Sequence, residues 1–193
     1  DNVNWDYLTM KNACGDLHRI LKIFKRIYNN QNKWIATGIS KGGTNTLAYK
    51  AFFPDDMNIW IPYVGPVNFG VEDGRHEKFL SKIGSQTCRN RILAFQRDIL
   101  LKRDSIQPLL DSLIKAKKYT YPISNEEVLD YCVLEYSFSF WQWGNSCADI
   151  PSDTATLHEK FEYLVKISDL DYMSYEGIVP IQAFFVQAAK EKG

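Results

Sequence analysis

The spacing of apolar positions divides this chain near residue 70. In the first part, Ala13, Leu17, Ile20, Leu21, Phe24, Ile27 and Tyr28 recur at helical intervals, predicting an amphipathic helix from about Tyr7 to Tyr28. The polar run Asn29-Asn-Gln-Asn32 marks a turn. An apolar run, Trp34-Ile35-Ala36, predicts a strand over 33–37, and Thr44 to Phe53 reads as a helix stopped by Pro54. A second apolar run, Ile59-Trp-Ile-Pro-Tyr-Val64, predicts a second strand ending at Gly65-Pro66, although Pro62 weakens it as a central strand. Helix, strand, helix, strand in this order implies one right-handed parallel crossover.

Beyond residue 85 the pattern is helical throughout. Cys88 to Lys102 is one predicted helix. A second runs from about Ser105 to Lys118, where Pro108 is tolerable because it falls in the first turn. Ser124-Asn-Glu-Glu127 has the form of a capping box, and it opens a helix with Val128, Leu129, Cys132, Val133, Tyr136 and Phe140 on one stripe. Leu157, Phe161, Leu164 and Val165 mark another helix, and the last spans roughly Tyr175 to Lys192. No repeat period or low-complexity tract is present.

Composition narrows the class. At 193 residues with 45% hydrophobic and 14% aromatic residues, the chain can bury a core in one or two domains. Lysine plus arginine equals aspartate plus glutamate, 23 each, so nothing in the charge balance points to nucleic acid or an anionic membrane. No apolar run reaches the roughly 18 residues that span a bilayer. The chain opens on Asp1 without an initiating methionine, which reads as processed or cut from something longer. Cys14, Cys88, Cys132 and Cys147 have no metal-ligand spacing, and no metal or other cofactor is expected. Cys132 and Cys147 can pair across a helix-to-loop segment, but the spacing alone does not decide it.

The chemistry lies between the two strands, in Gly38-Ile39-Ser40-Lys41-Gly42. Strand, tight turn and helix is the context of a nucleophile elbow, in which a sharp turn holds a serine in an unfavourable backbone conformation. Small neighbours let strand and helix approach that closely. Ser40 would project its hydroxyl above the sheet edge, and the Lys41 backbone N–H, at a helix N-terminus, would face a developing oxyanion. The alternative is a glycine-rich turn whose serine merely caps the helix.

An acyl-transfer serine needs a histidine base and a carboxylate to orient it. The three histidines fit poorly. His18 precedes the serine, on a helix. His76 lies in the charged run Glu72-Asp-Gly-Arg-His-Glu77, and His158 falls in the first turn of a helix. With two predicted strands, both edges of the sheet stay open. This reads as a piece of a larger enzyme.

The residues resemble a known family, the secreted tripeptidyl aminopeptidases, serine exopeptidases of the α/β-hydrolase fold distantly similar to prolyl carboxypeptidase. Trp5-Asp-Tyr-Leu8 with Ala13-Cys-Gly-Asp-Leu-His18 resembles the family's helix before the nucleophile. Lys33-Trp-Ile-Ala-Thr-Gly-Ile-Ser-Lys-Gly-Gly43 resembles its nucleophile motif, including the unusual Lys41. Phe53-Pro-Asp-Asp56 and Tyr63-Val-Gly-Pro66 match the following helix end and strand, and Glu135-Tyr-Ser-Phe-Ser-Phe-Trp-Gln-Trp143 resembles a signature of its helical cap. The resemblance implies Ser40 as the acylated nucleophile, an acid and a histidine beyond the cap and outside this chain, and a second oxyanion donor upstream of Asp1.

The expectation is therefore an α/β-hydrolase fragment. Residues 1–70 would form a partial core of two parallel strands with flanking helices, and 71–193 a mostly α-helical cap. The protein would be a secreted or periplasmic serine aminopeptidase acting on peptide substrates. Its other partner would be the missing remainder of the hydrolase core. A lipase or esterase of the same fold, or a non-catalytic helical binding module, are the other readings. An aminopeptidase must also hold the substrate's ammonium, which calls for a carboxylate in a partly dry pocket. Glu135, mid-helix among Tyr131, Tyr136, Phe138 and Trp141, is the best-placed candidate. Its alternative role is a glutamate bonded to a nearby cation or Trp N–H.

Overall fold

The computed structural model describes residues 4–28, 32–70 and 72–191. The turn expected at 29–32 and the helix end expected at Lys192 fall wholly or largely outside them. By internal contacts the chain forms two units: one runs up to Asp73 and takes in the segment from Gln182 onward, and the other is Gly74–Ile181.

In the first unit a short 3₁₀ turn, Trp5–Tyr7, precedes helix α1, Met10–Tyr28. Strand β1, Ile35–Ile39, leads through Ser40 into α2, Lys41–Phe52, and then to strand β2, Ile59–Tyr63. The strands pair in parallel, with Ile35 opposite Ile59 and Ile39 opposite Tyr63. β1 begins two residues later than the sequence pattern predicts and runs directly to the serine. The glycines read as a turn are instead split between the strand end and the first turn of α2, which starts at Lys41 rather than Thr44. Pro62 faces Gly38 across the ladder; its missing N–H is tolerated because β1 is the only neighbour of β2 among the described residues. α2 packs on both strands and α1 packs on α2.

The joint between α1 and α2 is polar at its centre. His18 stacks on Phe53 at 4.2 Å and pairs through Nδ1 with Asp56 Oδ2 at 2.6 Å. The buried Tyr49 donates its hydroxyl to the same carboxylate oxygen at 2.7 Å, and Lys25 Nζ donates to the Asp56 carbonyl. Burial works to raise the Asp56 pKa, but the hydrogen bonds from Tyr49 and His18 and the nearby charges outweigh it, leaving the carboxyl below its ordinary value. Burial and the Asp56 hydrogen bond together push the Tyr49 phenol upward.

The second unit contains α3, Arg75–Leu80; α4, Gln86–Leu101; α5, Arg103–Lys117; α6, Asn125–Gln142; α7, Leu157–Ile167; and the single turn α8, Tyr175–Ile178. The helix expected from Tyr175 to Lys192 is broken. A 3₁₀ turn at Val179–Ile181, containing Pro180, separates α8 from α9, Gln182–Glu191, and α9 belongs to the first unit. There Lys190 Nζ donates to the Trp5 carbonyl and Glu191 accepts from the Met10 N–H. α5 begins two residues before its predicted start, so Pro108 lies inside the helix rather than in its first turn.

α6 is the axis of the helical unit. Its N-terminus carries the expected capping box, with Glu127 N–H donating to Ser124 Oγ and Ser124 N–H to Glu127 Oε2. Its stripe of Val128, Leu129, Cys132, Val133, Tyr136 and Phe140 is buried against Ile92, Phe95 and Ile99 of α4, Ile106 and Leu110 of α5, and Phe161 and Leu164 of α7. One charge is interior. Lys160 is only 2% exposed and is neutralised by Asp98 at 2.8 Å, which also takes Lys102. Burial alone would raise the Asp98 pKa; the two lysines reverse this and hold it below its usual value.

The disulfide pairing, which the spacing leaves undecided, is Cys88 with Cys147 and not Cys132 with Cys147. Cys132 is on the core face of α6, where burial pushes its thiol pKa up to about 12, whereas Cys88 in the first turn of α4 meets the short turn Cys147–Asp149. With a sequence separation of 59, the crosslink restricts the unfolded chain by on the order of 4 kcal/mol. The expected fold class is corrected. An α/β-hydrolase core is not what these residues build: the described residues are predominantly helical, and the sheet consists of β1 and β2 alone. The reason is visible after β2, where the later elements are helices and α4, α5, α6 and α7 bury their apolar faces against one another. Among the described residues no helix is long and apolar enough to cross a membrane.

Because Asp56 titrates lower when folded than when unfolded, its stabilising effect is present above the unfolded value and is lost as pH falls through the folded one. Asp56→Asn should therefore lower Tm at pH 7. The gap to the unsubstituted protein should shrink as pH drops below about 4. A gap independent of pH would show that the carboxylate's charge is not what joins α1 to α2.

Candidate functional site

Ser40 stands at the junction of β1 and α2 with φ 55° and ψ −120°, a conformation that residues other than glycine rarely hold. The surrounding backbone imposes it. A Cβ on Gly38 would overlap the Gly42 carbonyl. A Cβ on Gly43 would come to 2.5 Å from the Tyr63 carbonyl oxygen, and one on Gly65 to 2.8 Å from Gly43. The strand, the first turn of α2 and the loop leaving β2 thus touch through bare backbone. Two hydrogen bonds close the arrangement: Ser40 N–H to Tyr63 O at 3.0 Å and Thr44 Oγ1 to Pro66 O at 2.8 Å. The loop has its own strained residue, Val64, at φ 40°.

The serine side chain is exposed and makes no capping hydrogen bond to α2. That removes the helix-capping alternative. The hydroxyl is therefore free for chemistry. Lys41 is the first residue of α2, so its N–H has no partner within the helix and lies at the positive end of the helix dipole. Serine and donor are adjacent in the chain, as an acyl-transfer site requires.

Within the first unit the histidine does not serve the serine as a base. His18 is committed to Asp56, beyond the C-terminal end of α2, and that 12-residue helix is about 18 Å long. His76 sits edge-on to Phe138 in the helical unit. His158 pairs with Glu162 on an exposed face of α7 at 3.2 Å. Among the described residues no three His, Cys, Asp or Glu side chains are grouped as metal donors.

Glu135 lies mid-way along α6, half-buried, and lines a cavity of about 640 Å³ in the helical unit. Its Oε1 accepts from Ser139 Oγ at 2.6 Å. The partner is thus a hydroxyl on the same helix, rather than a cation or an indole. The aromatic surroundings differ from those expected. Tyr136 points into the core and Tyr131 is exposed, while Phe138, Trp143 and Tyr172 line the cavity. Burial, with the negative charge of Glu135 nearby, raises the Tyr172 pKa. Lys166 and Asp169 share the cavity and had no local signal in the sequence, because they reach it from the end of α7 and the loop after it. The brace at Val64-Gly65 was foreshadowed only by the glycines themselves.

Comparison with known proteins follows from this geometry. A family model described as PS-10 peptidase S37 matches residues 1–193. A prolyl tri/tetrapeptidyl aminopeptidase of Streptomyces mobaraensis is 30% identical over 195 residues, covering 98% of this chain. The chain spans 40% of that relative's length. No solved structure matches.

The strain at residue 40 is open to measurement. Glycine relieves a positive φ and alanine does not, so Ser40→Gly should be more stable than Ser40→Ala by about 1 kcal/mol in chemical denaturation. Equal stability of the two would mean that the backbone at residue 40 is unstrained in solution.

Proposed function

The chain belongs to the PS-10 peptidase S37 family, and from that premise we propose that the protein is a serine aminopeptidase releasing short peptides from free N-termini, with Ser40 as its nucleophile. The observation that carries this reading is the uncapped, exposed Ser40 at φ 55° beside the free N–H of Lys41. In the proposed reaction Ser40 Oγ attacks the scissile carbonyl and gives its proton to a histidine base supplied from outside these residues. The oxyanion forms against the Lys41 N–H. The intermediate collapses to an acyl-enzyme on Ser40, releasing the shortened peptide's amine. Water then reverses the chemistry and frees the N-terminal fragment. A fixed backbone donor suits this role, since it aims at charge that exists only in the transition state.

The helical unit is proposed as the cap that limits substrate length, with Glu135 binding the substrate's ammonium. A half-buried carboxylate whose one recorded partner is a hydroxyl keeps acceptor capacity for a cation. The similar Streptomyces protein is named for tri- and tetrapeptide release at prolyl positions, which supports short peptide products here. Secretion is proposed on the Cys88–Cys147 bond, since disulfides persist mainly in oxidising compartments.

The test is peptide turnover by the full-length protein. Ser40→Ala should lower kcat by several powers of ten for every substrate, as loss of a triad nucleophile does. Glu135→Gln should raise KM steeply for peptides with free N-termini and change little for N-acetylated ones, which are already poor. Retained turnover in Ser40→Ala would overturn the nucleophile. Equal losses for both substrate types would reduce Glu135 to a packing residue.

A further inference from the structure

The Glu135 cavity has an apolar neighbour. A second cavity, of about 260 Å³, is walled by His76, Phe79, Leu80, Ile83, Phe138 and Trp141. The two share Phe138 and Gln142, which lie one turn apart on α6. Glu135 and Ser139 flank this ridge on one side and Trp141 flanks it on the other. One helix face therefore divides a charged chamber from an apolar one.

The apolar chamber has built walls. Trp141 is wedged against the turn before α4: Gly84, at φ 63°, sits where any Cβ would overlap the indole ring. His76 meets the Phe138 ring edge-on at 6.3 Å. Phe79 is 58% exposed and Phe138 43%. At 260 Å³ the chamber is below the roughly 300–1,000 Å³ of a whole small-ligand site, and matches a single side chain. The charged chamber carries Glu135 and Asp169 against Lys166, a net excess of one negative charge.

We propose that the apolar chamber is the subsite for the side chain of the substrate's first residue, whose ammonium is held across the Phe138–Gln142 ridge by Glu135 and Asp169. This rests on the aminopeptidase reading and extends it to specificity. The α-ammonium and the side chain diverge from one carbon atom, so a single residue astride the ridge can direct one group into each chamber. The ligand class is a short peptide with a free N-terminus and an apolar first residue. Phe79 and His76 are specificity residues; Gly84 is a positioning residue acting through Trp141.

The experiment uses the full-length protein and a series of fluorogenic peptides differing only at the first residue, glycine or leucine, each with a free and an acetylated N-terminus. The unsubstituted protein should favour leucine over glycine. Phe79→Ala, and independently His76→Ala, should cut kcat/KM for the leucine peptide about tenfold and for the glycine peptide less than twofold. Both residues are exposed, and unchanged Tm would show that the variants fold. No preference for leucine in the unsubstituted protein, or equal losses on both peptides, overturns the subsite. Failure of the parent reading is distinct: no turnover of any free-N-terminus peptide, or turnover indifferent to acetylation.

Discussion

Backbone-to-backbone contact at four glycines governs the rest of the first unit. Gly38 against Gly42, and Gly43 against Tyr63 and Gly65, bring the end of β1, the start of α2 and the loop after β2 closer than a Cβ on Gly38, Gly43 or Gly65 allows. Nothing flexible is available to yield there, so the chain reverses direction in one residue, and that residue is Ser40. Its positive φ costs about 1–3 kcal/mol. The cost is met by the ladder beneath it, the Ser40 N–H bond to Tyr63 and the Thr44 bond to Pro66. Strain and reactivity thus have one source: the geometry that disfavours the serine also keeps its hydroxyl off the helix and beside an unpaired N–H.

The rest of the unit steadies α2. Its C-terminal end is tied to α1 by His18, Tyr49 and Asp56, so that the histidine of the first unit serves packing. The helical unit uses different means. A stripe on α6 is surrounded by α4, α5 and α7, one buried lysine is matched by Asp98, and one disulfide fixes the loop after α6 to the start of α4. Removing Asp98 would strand the Lys160 charge in the interior, which typically costs about 3–5 kcal/mol. What α6 keeps free of the core, from Glu135 to Gln142, faces the two chambers.

Much of this was legible in the sequence because the signals were local. Glycine spacing around Ser40, the capping box at Ser124 and Glu127, and the α6 stripe each predict their own structure within a few residues. Boundaries slipped where glycine serves either as turn or as helix start, as at Lys41 and Gly42, and where proline sits deeper in a helix than the first turn, as at Pro108. The long helix at the C-terminus failed at Pro180 because apolar spacing there outweighed the break. The disulfide partner of Cys147, the cluster on Asp56 and the contributions of Lys166 and Asp169 are tertiary and leave no periodic trace. The family resemblance led the fold class astray for a related reason: it named an α/β-hydrolase core for residues that themselves form two parallel strands and many helices. The resemblance to peptidases was sound, since it rested on motifs that lie within the chain.

The central claim is that Ser40 is a reactive nucleophile by virtue of its backbone. It is tested most directly by treating the full-length protein with a fluorophosphonate at neutral pH and mapping the adduct by tryptic mass spectrometry. Cleavage after Lys33 and Lys41 isolates the peptide Trp34–Lys41, in which Thr37 and Ser40 are the only hydroxyl side chains. One adduct per chain, on Ser40 and not on Thr37, is the predicted result. An unmodified Trp34–Lys41 peptide, or stoichiometric labelling of another serine, would contradict the account.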